Sequence, residues 1–261
     1  APVVVGRPAL VRVFTEPQED FTAREVRARL TLQNEGAEPL VLEETQQVTG
    51  ASTDSDTGST FNFEVPPEAV QDGTQYSVEL LETVPCSESE LTVTGARFPE
   101  ADLADLGAVN VGVVKVQLVP VRYDTDGSGR LPDTSEEQLE LFRERLMQVF
   151  PVSDLILTVR EEPVGTNAQD VLQVLEQIRD LRSQDNPATD QSYYGLVRFT
   201  DTFREYCNNS CTTGIAGLPF RVTGGSGAGI GYSGETTAGT FVHEIGHING
   251  RDHSPCQVDG D

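Results

Sequence analysis

The hydrophobic pattern of this chain changes near Gly107, and that change limits the fold to two architectures joined in sequence. Before Gly107, apolar and polar residues alternate with a period of two, the spacing of half-buried strands. After it, dense apolar runs alternate with stretches of helical periodicity. We therefore predict two domains, residues 1–107 and residues 108–261.

The first domain is predicted to be an all-β sandwich of the immunoglobulin or fibronectin kind. Its clearest alternating runs are residues 26–32, 61–65 and 76–80. Turn-forming stretches separate them at residues 34–36, 54–58 and 72–73. Short alternating strands at this spacing are typical of antiparallel sandwiches. No His, Cys and carboxylate cluster is found there, so we expect a structural or binding module.

The second domain is predicted to have a mixed sheet with crossover helices. Thr134 and Glu137 have the spacing of a capping box, and helical periodicity follows as far as Pro151. Asn167 is a candidate cap for a second helix, which ends before Pro187. The strands are predicted at residues 111–121, 155–159 and 194–199, with two short ones at 214–218 and 229–232.

The charge of the chain excludes two classes of partner. It has 42 acidic and 18 basic residues, which give a net charge of −24. A protein this negative repels phosphate groups, so we expect no nucleic-acid partner and no binding to an anionic membrane surface. The longest apolar stretch, residues 111–121, is interrupted by Lys115 and Gln117. It falls short of the roughly 20 apolar residues that span a bilayer.

Four cysteines bear on where the protein works: Cys86, Cys207, Cys211 and Cys256. They lack the Cys-x2-Cys pairs of a zinc finger. Two disulfides in a secreted protein are the favoured interpretation, and free thiols are the alternative. A short bridge between Cys207 and Cys211 is plausible on spacing alone. We therefore expect an extracellular location.

The chemistry of the chain is concentrated in residues 243–253, which contain all three of its histidines. His243 and His247 are four residues apart, so on a helix they lie on one face. Gly250 can adopt a positive φ and end that helix, which lets His253 become a third ligand. Three neutral imidazoles leave zinc with an open position, the arrangement of a catalytic site. Glu244 points away from the ligands and is the candidate general base for an attacking water.

The pattern His-Glu-x-x-His-x-x-Gly-x-x-His at residues 243–253 resembles that of the metzincin zinc metalloendopeptidases. The predicted order of elements before it, over about residues 110–261, is similar to the upper subdomain of their catalytic domain. The added β-sandwich is similar to that of large secreted bacterial metzincins, including those that cut glycoproteins. The resemblance implies peptide-bond hydrolysis of a protein or glycoprotein substrate, with Glu244 as the general base.

The resemblance also implies two structural features. The residues from 214 to 218 would form the edge strand with which an extended substrate pairs: Gly214, Ile215, Ala216, Gly217 and Leu218. Metzincins also carry a methionine-containing turn after the third histidine. The only methionine here is Met147, before the motif, and the chain ends eight residues after His253. We expect the lower subdomain to be absent from this chain.

A second metal site is suggested by an acidic loop. Asp124, Asp126 and Ser128 place oxygen atoms at alternate positions, as in the first half of a calcium loop, and Asp133 lies nearby. The twelfth position is Ser135 where a calcium loop needs Glu. A plain acidic turn before a capped helix is the alternative.

Two functions of different classes follow from these patterns. The first is a secreted zinc endopeptidase whose sandwich positions the enzyme or its substrate. The second is a non-catalytic binding or adhesion protein with a relic zinc site. The presence of Glu244 distinguishes them, because a structural zinc site needs no general base.

Overall fold

The computed structural model describes residues 3–83, 95–217 and 224–253. The chain divides into two compact units, Ala1–Val111 and Gly112–Asp261, where the sequence predicted a boundary after residue 107. It is a mixed α/β protein with several sheets and few helices. No helix in the described ranges is long and apolar enough to cross a membrane.

The first unit is rich in β-structure over its described residues. Its strands are β1 (Val3–Val4), β2 (Ala9–Val13), β3 (Arg24–Gln33), β4 (Leu40–Val48), β5 (Phe61–Val65), β6 (Gln75–Glu82), β7 (Arg97–Phe98), β8 (Ala104–Asp105) and β9 (Ala108–Val109). One sheet has the order β4-β3-β6-β7, with β8 also on β6. β2 pairs with β5, and β1 pairs in parallel with β9.

Burial in this unit follows the alternation seen in the sequence. Val26, Ala28, Leu30 and Leu32 of β3 are buried, while the residues between them are partly exposed. The apolar residues of β5 belong to the same core. Strand β4 was not predicted, because its sequence is mostly polar and only Val48 is fully inside.

The second unit alternates strands and helices. Its elements are β10 (Val113–Tyr123), α1 (Glu136–Val149), β11 (Asp154–Val159), β12 (Val164–Thr166), α2 (Val171–Asp185), β13 (Gln191–Val197), α3 (Phe203–Tyr206), β14 (Gly214–Ala216), β15 (Ser226–Ile230) and α4 (Glu235–Ile248). The sequence did not predict β12 or α3, each of which is four residues or shorter.

The described strands of this unit form one sheet in the order β11-β10-β13-β15-β14. Strand β12 pairs with β10, as β11 does. All pairs are parallel except β14 with β15, which is antiparallel. α1 and α4 pack on one face of the sheet and share a core with Leu118, Tyr194 and Leu196. α2 packs on the other face, against Val119 and Val197.

The predicted helix caps were wrong by one residue in α1 and by three in α2. Ser135, not Thr134, caps α1 by accepting a hydrogen bond from the Gln138 backbone. Asp170, not Asn167, caps α2, and its carboxylate accepts from the Gln173 backbone at 2.9 Å. In each helix, a polar residue close to the predicted cap accepts from the free N–H groups of the first turn, which the predicted cap was expected to do.

Candidate metal centre

Helix α4 positions two of the three histidines. Its apolar side is buried in the core through Phe241, Ile245 and Ile248, so the opposite side faces outward. His243 and His247 lie on that outward side, and their Nε2 atoms are 3.0 Å apart. The spacing of four residues therefore places two imidazole nitrogens next to each other, as predicted from the helical period.

The end of α4 brings in the third histidine. Gly250 has a φ of 80°, a left-handed conformation that glycine adopts without strain. Its N–H donates to the His247 carbonyl, and the N–H of Arg251 donates to the Gly246 carbonyl, both at 2.9 Å. These two bonds form a Schellman motif, which reverses the chain. The ring of His253 then lies 4.9 Å from that of His247 and 5.4 Å from that of His243, measured between centroids.

The same turn fixes the orientation of one ring. The Nδ1 atom of His247 lies 2.7 Å from the carbonyl oxygen of Arg251. Because a carbonyl only accepts, Nδ1 carries the proton and Nε2 keeps its lone pair. Metal-binding histidines commonly donate their second N–H to such a partner. The Schellman turn therefore brings His253 into place and holds His247 in the tautomer that binds metal.

The three imidazoles can hold one metal ion. One donor atom from each histidine lies within 4.8 Å of the others. His243 and His253 are exposed and His247 is partly buried, so an ion can reach the site from solvent. Burial, followed by the charges of His247 and His253, lowers the pKa of His243. A neutral His243 is the form that binds a cation.

Glu244 is close to this cluster but is not part of it. Its side chain is only 4% exposed, and Oε2 has no hydrogen-bond partner within the described part of the chain. Burial raises its pKa to about 7, and the charge of His247 lowers it in part. A buried carboxyl group with no partner is costly for the fold, and such groups are concentrated at functional sites.

A glycine of the edge strand makes room for this carboxyl group. A Cβ atom on Gly214 of β14 would lie 2.7 Å from both Cγ and Oε1 of Glu244, and 2.6 Å from Cγ2 of Thr240. These distances are shorter than any normal carbon contact, so only glycine fits without a shift. Strand β14 and the carboxyl group of Glu244 are therefore in direct contact.

With Glu244 as the general base that the sequence motif predicts, we expect Gly214→Ala to lower peptide cleavage without loss of metal. The added methyl group would push Glu244 away from its position, while the three histidines keep theirs. A displacement of about 1 Å typically costs on the order of 100-fold in rate. Metal content and peptide cleavage would be measured together. Gly239→Ala is the matched control, because a Cβ on that α4 residue meets nothing within 4 Å.

Strand β14 presents backbone groups along its outer edge. The N–H of Gly217 donates to the carbonyl of Ser226 in β15, and the N–H of Ile230 donates to the carbonyl of Thr213. The pairs Gly217–Ser226 and Thr213–Ile230, at the two ends of β14, are therefore hydrogen-bonded. Alternation along an antiparallel pair makes Ile215 bond to β15 as well. The N–H and C=O groups of Gly214 and Ala216 then point away from the sheet. Among the described strands, none covers this edge.

The predicted edge strand is shorter than expected. The sequence suggested residues 214–218, whereas β14 ends at Ala216. Gly217 follows the strand and keeps one bond to β15. Leu218 lies outside the described residues.

The suggested calcium loop does not bring its carboxylates together. Asp124 is paired with Arg122, and Asp126 with Arg130. Asp133 accepts hydrogen bonds from Ser233 and from the Ser135 backbone. Within the described ranges, the three histidines are the one group of His, Cys, Asp or Glu residues close enough to bind a metal.

Ser128 also bonds within the loop and is not directed at a shared centre. Its backbone N–H donates to Asp126, and its hydroxyl accepts from the Arg130 backbone. The acidic turn, the alternative that the sequence left open, is the arrangement observed. Arginine side chains neutralise two of the three carboxylates that a calcium ion would need, those of Asp124 and Asp126.

Sequence reasoning missed several groups around the histidines. The carbonyl of Arg251 has no signature in a sequence, because every residue carries one. The contact of Gly214 with Glu244 depends on sheet register. Tyr194 is fully buried, and burial together with the charge of Glu244 raises the pKa of its hydroxyl well above the usual value. Its only sequence signal was its place in an apolar strand.

A disulfide joins Cys207 to Cys211, between α3 and β14. The spacing in the sequence allowed this short bridge without fixing the connectivity. Cys86 and Cys256 lie outside the described residues.

Comparisons with known proteins give no match: no family model, no curated protein and no solved structure is similar to this chain.

Proposed function

We propose that this chain is a secreted, zinc-dependent endopeptidase. The observation that carries the proposal is the convergence of His243, His247 and His253, with Glu244 adjacent to them but outside the set. A structural zinc site is usually closed by four protein ligands, whereas a catalytic one has three and an open position.

The donor atoms fit a zinc ion. The Nε2 atoms of His243 and His247 are close enough to bind one ion from two sides. Neutral imidazole is a common ligand of zinc, whereas calcium and magnesium prefer oxygen atoms. When bound, zinc polarises a substrate carbonyl and makes a nearby water molecule more acidic.

The reaction step assigned to this chain's own residues is a proton transfer at Glu244. Its carboxylate accepts a proton from the water that attacks the peptide carbonyl, and then donates that proton to the nitrogen of the leaving amine. The C–O bond forms first, and the C–N bond of the resulting tetrahedral adduct breaks once its nitrogen is protonated, so water and the peptide are the only reactants. Burial of Glu244 keeps bulk water from competing for that proton.

The open edge of β14 supplies the means to hold a peptide. An extended segment can pair with the outward N–H and C=O groups of Gly214 and Ala216. Gly214 is in contact with Glu244, so a paired peptide passes next to the general base. Backbone pairing is indifferent to side chains, which suits an enzyme that cuts protein or glycoprotein substrates.

Several features support assignment to the metzincins. They are the motif at residues 243–253, the turn at Gly250 and the antiparallel edge strand beside Glu244. The disulfide at Cys207 is consistent with an extracellular protein. We infer that the first unit is an immunoglobulin-like or fibronectin-like sandwich with an accessory role.

The test of this function is cleavage of an unfolded protein by the purified chain. We expect cleavage that a chelator stops and that added zinc restores. A chain that holds zinc but cuts no unfolded protein or peptide would instead favour the non-catalytic binding protein.

Zinc retention should depend on pH in a defined direction. Protons compete with zinc for imidazole nitrogens, and a free imidazole side chain has a pKa of about 6.5. The lowered pKa of His243 keeps that ligand neutral to a lower pH than the ordinary value. Zinc should stay bound above pH 7 and be released progressively below about pH 6. Dialysis at a series of pH values followed by metal analysis checks this, and unchanged zinc at pH 4 would contradict ligation by three histidines.

A further inference from the structure

Helix α2 carries two arginines that border the end of β14. Arg179 and Arg182 are three residues apart, so their side chains leave the same side of the helix. Together with Ser183, Asn186 and Ser226, they line a cavity of about 340 Å³. All these residues carry groups that donate hydrogen bonds, as an anion requires.

Two glycines leave space for the guanidinium groups. A Cβ atom on Gly217, just after β14, would lie 2.6 Å from Nη2 of Arg179. A Cβ atom on Gly224, just before β15, would lie 2.8 Å from Nη2 of Arg182. Each arginine thus lies directly against the backbone next to the edge strand.

No carboxylate in the described ranges neutralises either arginine. Among the described residues, Arg182 donates to the carbonyl groups of Thr189 and Gln191, at 3.4 and 3.0 Å. Arg179 has no hydrogen bond or ion pair to a described residue. Bonds to carbonyls fix the position of a guanidinium group but leave its charge uncompensated.

Two nearby acidic residues are paired elsewhere, and Glu176 and Asp180 of the same helix form no ion pair with either arginine among the described residues. Asp185 is bound to Arg160 at 2.6 Å, and Asp190 is bound to Lys115 at 2.6 Å. Two like charges three residues apart on a helix repel each other. In a chain of net charge −24, a pair of uncompensated cations in one cavity is therefore a distinctive feature, and an anion bound between them would relieve the repulsion.

Arg179 lies on the side of β14 to which a bound peptide would direct every second side chain. Around β14, a Cβ on Gly214 points to α4 and Glu244, whereas a Cβ on Gly217 points to α2 and Arg179. A peptide paired antiparallel with β14 alternates in the same way. Its residue opposite Gly217 faces Arg179, and it precedes the residue opposite Gly214 in the direction of the peptide chain.

We propose that Arg179 and Arg182 form an anion subsite for an acidic side chain of the peptide that pairs with β14. The position relative to the cleaved bond rests on the proposed function, whereas recognition of the charge requires only that the peptide binds. A carboxylate can accept two hydrogen bonds from one guanidinium group, a geometry that neutral side chains match poorly. The subsite would favour Asp or Glu N-terminal to the cleaved bond.

The experiment uses a peptide series in which one Glu moves a single position at a time, each paired with its Gln counterpart. Binding of labelled peptides is measured with the zinc-loaded Glu244→Gln variant, and cleavage with the unmodified chain. We expect the Glu peptide to bind and react about three- to tenfold better than the Gln peptide at one N-terminal position. The difference should appear in KM, because the contact lies away from the reacting bond.

The variant Arg179→Gln identifies the group responsible. The ratio between Glu and Gln peptides should fall towards one in this variant. It should persist in Arg204→Gln, which removes the same charge from an exposed α3 residue outside the cavity. A ratio of one in the unmodified chain, or a ratio unaffected by Arg179→Gln, would overturn the subsite. Charge-dependent binding without any cleavage would overturn the proposed function and leave the subsite standing.

Discussion

The Glu244→Gln variant should keep its zinc, and its rate of peptide cleavage should fall by about 10²- to 10⁴-fold or more. A loss of this size is typical of removing a general base. Gln has the same size as Glu but accepts no proton. The three histidines do not depend on this side chain, so the metal centre should be unchanged. Zinc content, peptidase rate and thermal unfolding would be measured on the same preparation.

The stability of this variant has a predictable sign. In the metal-free chain, the pKa of Glu244 is raised above its unfolded value, so ionisation of the buried carboxyl group opposes folding. That cost is absent at low pH and grows as the pH rises towards about 7. The neutral Gln removes it, so the variant should be at least as stable at pH 8 as the unmodified chain.

Glu235→Gln is the matched control for this variant. Glu235 lies on the same helix but is exposed and paired with Arg145. Its replacement should change neither the zinc content nor the rate of peptide cleavage. Loss of the surface ion pair should lower the stability only slightly. Loss of zinc from Glu244→Gln would make the carboxylate a ligand, and full activity would place the chemistry elsewhere.

His247→Ala should lose zinc and activity together. This histidine lies between the other two, and its Nδ1–H is already held by the Arg251 carbonyl. Losing a hydrogen-bond partner of a metal ligand typically costs 10–100-fold in affinity, and loss of the ligand itself should cost more. Zinc affinity would be measured by competition with a chelating dye.

All three histidines of the chain lie in the motif, so the chain has no histidine outside the site that could be replaced as a control. Rescue takes its place. Free imidazole should enter the space left in His247→Ala and recover part of the zinc affinity, whereas the same concentration should not improve the unmodified chain. Undiminished zinc affinity in His247→Ala would remove this residue from the metal site.

The part of the site that could be predicted from sequence is the part set by helical geometry. Two histidines four residues apart and a glycine after the helix define the ligands, because period and chain reversal are local properties. The contact between Gly214 and Glu244 could not be predicted. It depends on the register of β14 and on how α4 packs below it, and both are decided by the whole sheet.

The fold shows the same division between local and long-range effects. The alternation of apolar and polar residues in β3 and β5 allowed both strands to be predicted, because one side of each strand is buried. The start of α1 was not, because Thr134 and Ser135 are adjacent hydroxyl residues and both have a suitable residue three positions later. The choice of Ser135 as the cap of α1 goes with a tertiary contact of Gln138, whose side chain accepts a hydrogen bond from the N–H of Gly234 at the start of α4.

The calcium suggestion gains no support from the fold, for a related reason. The spacing of Asp124 and Asp126 favoured oxygen ligands around an ion, but spacing does not show where the arginines lie. Arg122 and Arg130 are close in sequence to the loop and neutralise it in the fold. The histidine motif had no such competitors, because no acidic side chain pairs with its rings in the described residues.

The dependence of peptide cleavage on the three-histidine site is tested by a titration of peptidase rate with zinc. The chain would first be freed of metal, and cleavage of a labelled peptide would be followed as zinc is added in fractions of an equivalent. We expect no cleavage without zinc and a linear rise that stops at one zinc per chain. Cleavage that is already present in the metal-free chain, or no cleavage at one equivalent, would contradict the account.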